Sequence, residues 1–201
     1  MKKFINYAGL FLTAGIIIAL DQWAKSLVRT LPVGGTWLPA GLEWLSPYAR
    51  IVHWYNSGAA FGSFQGYGLI FTVLAFIVAG LIIYYYPQVD DRDWWLKLAM
   101  GMQLGGALGN VVDRLTRGDL KTFTTGPVTD FISVGNFAVF NLADASITMG
   151  VIVLLIGAGF KEMSDRKKAL AESGTTETST SAEDPDAGAG GQSERRETPG
   201  E

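Results

Sequence analysis

Cysteine is absent from this chain of 201 residues, and histidine occurs once, as His53. That excludes disulfides, thiol nucleophiles and cysteine-based metal sites, and it leaves serine–histidine chemistry a single candidate base. A metal cluster would have to be built almost wholly from carboxylates, and no metal or other cofactor is expected. Charge is scarce too, at 17% of residues, and unevenly placed. Residues 161–201 carry ten acids and six bases, a net of −4, while residues 1–160 carry nine acids and ten bases, a net of +1. The overall −3 therefore belongs to the tail. No basic stripe marks a nucleic-acid footprint, so no nucleic-acid partner is expected.

What the chain has in plenty is apolar sequence. Uncharged stretches recur at Phe4–Leu20, Tyr67–Tyr86, Leu98–Val112 and Ala145–Phe160. The second alone is long enough to cross a bilayer core of about 30 Å at about 1.5 Å per residue. The first becomes so if its helix runs on through Asp21 towards Val28, and the other two if they admit polar residues at one end. The pattern predicts an all-α membrane protein with four transmembrane helices. Lys2 and Lys3 ahead of the first stretch also suit a cleavable signal peptide, but the stretch is long and no small-x-small site follows, so it reads as a span.

The third stretch places Gly101, Gly105 and Gly109 at intervals of four, a spacing that lets helix backbones approach closely. Between the first two spans, Arg29–Gln65 is rich in Pro, Gly, Trp and Tyr, and Ala49–Tyr55 (A-R-I-V-H-W-Y) is strand-like. A small sheet at headgroup level suits that composition. A domain of residues 1–168, with this segment at about 30–65, is followed by an acidic tail, 169–201, too poor in apolar residues to fold. Eight Lys and Arg residues fall on one side of the spans and six on the other, which favours cytoplasmic termini.

An up-down order of four spans brings the distinctive polar residues to one membrane face. Asp21 and Lys25 end the first span, Asn56 precedes the second, Asn110, Asp113 and Arg114 end the third, and Asp130, Asn141 and Asp144 lead into the fourth. Some have ordinary readings. Asp21 and Lys25 fit an i,i+4 ion pair, Arg114 a partner for Asp113, Arg117 and Asp119 solvated loop residues, and His53 a packed side chain. Asp130 and Asp144 differ, because each is flanked by apolar residues, and a carboxylate at the mouth of a membrane segment is costly unless it faces a polar cavity. Two carboxyls brought together can share one proton, the ionised member activating water and the neutral member donating to a carbonyl oxygen. Fourteen residues separate them, which permits contact without requiring it. A proton or solute transporter is the competing class, but it would distribute acids through the membrane depth, and the interiors of these spans lack them.

Five motifs in order carry a resemblance: D-Q-W-A-K at Asp21–Lys25, N-S-G-A-A-F-G at Asn56–Gly62, G-N-V-V-D-R at Gly109–Arg114, T-D-F-I at Thr129–Ile132 and F-N-L-A-D at Phe140–Asp144. Together the chain resembles the lipoprotein signal peptidase (signal peptidase II) family of bacterial membrane aspartic proteases. The resemblance implies four transmembrane helices in the inner membrane, cytoplasmic termini, an extracytoplasmic β-cradle between helices 1 and 2, and an interfacial arm. It implies cleavage of lipid-modified prolipoproteins just before the diacylglyceryl cysteine, among membrane lipids, with globomycin as an inhibitor. Asp130 and Asp144 are then the catalytic pair, and Asn56, Asn110, Arg114 and Asn141 hold the pair and the substrate backbone, supported by Asp21, Lys25 and Asp113. The signal helix of the substrate would lie between spans, with the glycine-lined third span as a plausible neighbour. The long acidic tail departs from the family's usual ends.

Overall fold

A computed structural model describes residues 2–58, 66–118 and 125–180, with side chains from residue 7 to 167 within those spans. In chain order the elements are α1 (Lys2–Val28), β1 (Thr36–Trp37), β2 (Ala49–Asn56), α2 (Gly68–Tyr85), α3 (Trp94–Arg117), β3 (Val128–Val134) and α4 (Leu142–Thr180). Residues 1–157 gather into one compact unit and the remainder into a second. The described part of that second unit is wholly helical, to Thr180, so the tail expected to be unfolded from residue 169 starts as helix. Residues 181–201, like Asp119 and Lys121, lie outside the described residues.

Three helices are long and apolar enough to cross a membrane, over Tyr7–Val28, Gly68–Gln88 and Leu142–Lys167. The third of the four predicted spans, α3, is long enough but not apolar enough, and the reason lies in its position. Its buried residues are mostly small or polar: Ala99, Gly101, Gly105, Gly106, Gly109, Asp113 and Arg114, with Leu104 and Val111. Helices α1, α2 and α4 instead turn large apolar side chains outward, among them Leu12, Ile16, Ile70, Leu74, Ile77, Leu155 and Ile156. A helix enclosed by its neighbours has no need of a lipid-compatible surface, whereas those three do.

The glycine stripe sets how close α3 comes to its neighbours. A methyl group added at Gly101 would meet Thr13 at 2.8 Å, and one at Gly105 would meet Ile17 at 2.9 Å and the Ala14 backbone at 3.0 Å. At Gly109 it would meet the Asp21 carboxylate at 3.1 Å. The partners advance in step, Thr13, Ile17, Asp21 against Gly101, Gly105, Gly109, so α1 and α3 run parallel with their backbones in close contact. Gly106 faces the other way, where an added methyl group would run into the Ala143 carbonyl. The glycine-rich face is thus filled by α1 and α4 of the same chain, and it is not a free neighbour for a substrate helix. Leu10, Ala14, Ala79, Ile82, Tyr86 and Leu104 complete the apolar core at the other end.

The sheet is antiparallel in the order β1-β2-β3. Its strand β2 falls on the strand-like stretch Ala49–Tyr55, but the sheet is not confined to the segment between α1 and α2, because β3 comes from between α3 and α4. The β2–β3 register sets Trp54 against Asp130 and Asn56 against Val128, and it slips between Ile51 and Trp54. At that irregularity the His53 backbone pairs with Gly34 and Gly35 instead. After β3 the chain reverses through Gly135, whose φ of 51° is a left-handed conformation that glycine adopts without strain. Phe140 then returns alongside Ile132. That return places the first residue of α4 beside the strand bearing Asp130.

The glycine contacts give a direct test. Gly105→Ala forces its methyl into the α1 backbone and is expected to cost about 1–3 kcal/mol of stability, as overpacking does. Gly15, with nothing within 4 Å of an added methyl, is the control. Gly15→Ala is expected to be neutral or stabilising, by up to about 1 kcal/mol, from helix propensity. Thermal unfolding in detergent distinguishes the two; equal effects would discard the close-packing account.

Candidate active site

The start of α4 is built as a reciprocal cap. The Asn141 side-chain oxygen accepts the Asp144 backbone N–H at 2.9 Å, and the Asp144 carboxylate accepts the Asn141 N–H at 3.2 Å. This is the geometry of a capping box, with Asn as N-cap and Asp three residues on, and it satisfies two N–H groups that the helix leaves unbonded. The cap has a third member from across the protein: Asp21 of α1 accepts the Ala143 N–H at 3.0 Å. Negative charge at a helix N-terminus is favourable, so both carboxylates suit the place they occupy.

The amide of Asn141 then reaches Asp130. Its Nδ2 donates to Asp130 Oδ1 at 2.7 Å and to Asn110 Oδ1 at 3.0 Å. Asn110 in turn donates to Asp144 Oδ1 at 2.7 Å. Asn56, diagonal to Asp130 across the β2–β3 pairing, donates to Asp130 Oδ2 at 3.0 Å. The two carboxyls therefore sit on one amide network, and both line a cavity of about 570 Å³. Asn56, Asn110 and Arg114 complete its polar end, while Phe71, Val128, Phe140, Ile147 and Met149 line much of the rest.

Burial is the main reason that the Asp130 carboxyl is pushed up to about 7, and the neighbouring Asp144 acts in the same direction. Donors from Asn56 and Asn141 and the charge of Lys25 pull it back without cancelling the rise. A carboxyl poised there can exchange a proton near neutral pH, which the ordinary aspartate cannot do.

Beneath the carboxyls lies a buried ionic cluster. Asp21, Lys25 and Asp113 are each 0% exposed. Lys25 Nζ contacts Asp21 Oδ2 at 2.7 Å and Asp113 Oδ2 at 3.1 Å, and donates to Asn110 Oδ1 at 3.1 Å. Asp113 also accepts Arg29 at 2.6 Å, Gln22 at 3.3 Å and the Thr129 backbone N–H at 3.0 Å. It thereby ties α1, α3 and β3 at one carboxylate. Arg114 donates one Nη to the Gly58 carbonyl at 3.3 Å and lies over the Phe71 ring at 5.5 Å. Its other Nη is buried and has no hydrogen-bond partner among the described residues, on a side chain that lines the cavity.

All nine residues singled out from the sequence come together in this region. Arg114 does not pair with Asp113 in a salt bridge; Lys25 and Arg29 do. His53 is buried, with Nδ1 at 2.7 Å from the Leu31 carbonyl, and does not line the cavity. Arg117 is the last residue of α3 and lies over the Tyr55 ring at 5.0 Å, where a solvated loop residue was expected. Gln22, Arg29 and Thr129 were missed. The signal for Arg29 was present, since Asp21, Lys25 and Arg29 repeat at intervals of four. Among the described residues no three acid, histidine or cysteine side chains group as metal ligands.

Fold and site together define a helical membrane protein with a cleft, lined by two carboxyls, at the junction of its helices and sheet. The family model for signal peptidase II matches residues 13–160, and the chain belongs to that family of proteases. It is 40% identical over 147 residues to the lipoprotein signal peptidase of Shouchella clausii (strain KSM-K16), covering 73% of this chain and 89% of that one. It is 34% identical over 163 residues to the lipoprotein signal peptidase of Halalkalibacterium halodurans, covering 81% and 96%. A bacterial membrane enzyme solved by the in meso method at 2.3 Å superposes with a TM-score of 0.65 and 28% identity, over 78% of this chain and 90% of that chain.

Two outcomes follow for the isolated protein. Lys25→Met leaves two buried carboxylates with one cation between them and is expected to cost about 3–5 kcal/mol, seen as a lowered unfolding midpoint. A loss under about 1 kcal/mol would mean that water already screens the cluster. The raised Asp130 carboxyl binds its proton more tightly folded than unfolded, so its contribution to stability is present below about 4 and is lost as pH rises through about 7. Asp130→Asn removes that dependence. Its melting temperature relative to the unsubstituted protein is expected to rise between pH 5 and pH 8; a constant difference would refute the raised value.

Proposed function

We propose that the protein is an aspartic endopeptidase that removes the signal peptide from diacylglyceryl-modified prolipoproteins, cutting just before the lipid-bearing cysteine. The observation that carries this reading is Asn141, whose one amide joins Asp130 to the network holding Asp144 on the wall of a single cavity. The names of the relatives, lipoprotein signal peptidases, support the substrate class.

In the proposed reaction the carboxyl pair holds one proton and a water molecule. The ionised member takes a proton from the water as its oxygen attacks the scissile carbonyl carbon, and the neutral member gives its proton to the carbonyl oxygen. A neutral gem-diol results, with one proton still on the pair. On collapse the protonated carboxyl delivers its proton to the leaving nitrogen, the C–N bond breaks, and a diol hydroxyl returns a proton to the other carboxylate. The pair ends as it began. Because the two interact, it titrates as a unit, with neither proton belonging to one residue. On this reading Arg114 and Asn56, both on the cavity wall, hold the substrate backbone against the pair.

Membrane geometry supports the same substrate. Acyl chains on the modified cysteine stay in the bilayer, and the apolar part of the cavity wall, with Ile147 and Met149 of α4, suits such a neighbour. We place α3 as the fourth span, screened from lipid by the others, both termini in the cytoplasm and the cleft on the extracytoplasmic face. Globomycin is the expected inhibitor.

Asp130→Asn and Asp144→Asn are each expected to lower cleavage of a lipidated prolipoprotein by at least about a thousandfold, the scale seen when a catalytic constellation loses a member. Incubation of the purified variants with substrate, read by gel shift with and without globomycin, is the test. Either variant cleaving like the parent would take that aspartate out of the reaction.

A further inference from the structure

We infer that Arg29 is a positioning residue for the aspartate pair, acting through Asp113 and Thr129 rather than on the substrate. Arg29 follows the last residue of α1 and keeps its periodicity, its backbone N–H bonding to the Lys25 carbonyl at 3.0 Å. Its guanidinium makes two contacts, Nη2 to Asp113 Oδ1 at 2.6 Å and Nε to Thr129 Oγ1 at 3.2 Å. Thr129 is the residue before Asp130, and its own N–H is held by the other oxygen of Asp113 at 3.0 Å. The depth of β3 against the helices is therefore fixed at Thr129 from two sides, one backbone and one side chain. Asp130 inherits that position.

Charge gives Arg29 a second effect. The groups facing the pair are Asp21 and Lys25 from α1, and Asp113 and Arg114 from α3, with Arg29 on the far side of Asp113. Asp21, Asp113, Lys25 and Arg29 sum to zero. Without Arg29 the cluster carries a net negative charge, and Lys25 is left to serve two carboxylates, drawn away from Asn110 and hence from Asp144. A net negative charge beside the pair makes it hold its proton more tightly. Arg29 does not line the cavity, so it has no direct part in binding substrate.

The inference rests on the aspartate-pair reading, and the experiment separates the two. The full chain in lipid is assayed with a lipidated prolipoprotein across pH 5–9 as Arg29→Met, Arg29→Lys and Asp130→Asn, with rates expressed per folded molecule. Arg29→Met is expected to lower kcat about tenfold or more, the scale of a small misplacement of reacting groups, with KM changed by less than about twofold. Its whole pH profile is expected to move to the alkaline side by on the order of one unit, from the lost cation. Arg29→Lys keeps the charge and is expected to restore the profile and much of kcat. A parental profile in Arg29→Met, a rise in KM alone, or an Arg29→Lys as displaced as Arg29→Met would overturn the role. A lowered melting temperature with unchanged kcat and profile would overturn it as well, by reducing Arg29 to a structural tie. An active Asp130→Asn would instead remove the pair on which both readings stand.

Discussion

Asp113 is the carboxylate on which the arrangement depends. It accepts Lys25 and Arg29 from the α1 side, Gln22 beside them, and the backbone of Thr129 from the sheet. Such a buried ionic cluster is a weak source of net stability, because desolvating the charges costs about as much as their attraction returns. Its value is in excluding alternatives. Any sliding of α1 past α3, or of β3 along either, leaves a charge buried without a partner, and that is far more costly than the native arrangement is favourable. The glycines at 101, 105 and 109 bring the two helix backbones close enough for Lys25 to reach both Asp21 and Asp113 with its side chain fully enclosed. Small residues in the apolar half and opposite charges in the polar half form one continuous stripe.

The same residues serve the fold and the cleft. Asn141 and Asp144 begin α4 by satisfying each other's backbone, and Asp21 completes the cap from another helix. A carboxylate so held has little freedom to turn, and the amide left over on Asn141 points to Asp130. Order in the site is therefore obtained from interactions that the helix terminus needs in any case. The cost is borne by Asp130, whose burial beside a second acid raises its proton affinity to about neutral pH.

Much of this was legible in the residues. Uncharged stretches located every long helix described, the strand-like A-R-I-V-H-W-Y located β2, and the nine polar residues named from the sequence are gathered into one region. What was not legible has physical causes. V-T-D-F-I-S-V was read as an approach to the fourth helix because its acid was judged for chemistry; its β-branched residues at Val128, Thr129, Ile132 and Val134 favour the strand that it forms. The N-L-A-D of the fourth helix reads as a capping box, which would have moved its start back from Ala145 to Leu142. For α3, low hydropathy reflects enclosure by other helices, a tertiary fact that a single stretch of sequence does not contain. Arg29 opens the segment between the first two spans, yet its spacing continues the face of Asp21 and Lys25.

The cap that Asp21 places on Ala143 joins residues 122 positions apart. Helix α1, made well before α4, thus holds the doorway of the later helix, and that doorway is incomplete until both are present. A chain made only as far as α3 holds Asp21 without that partner, so the start of α4 and the cavity wall it carries are completed only when the last helix joins the others. Assembly from one end to the other is thereby a condition for the cleft, imposed by topology alone.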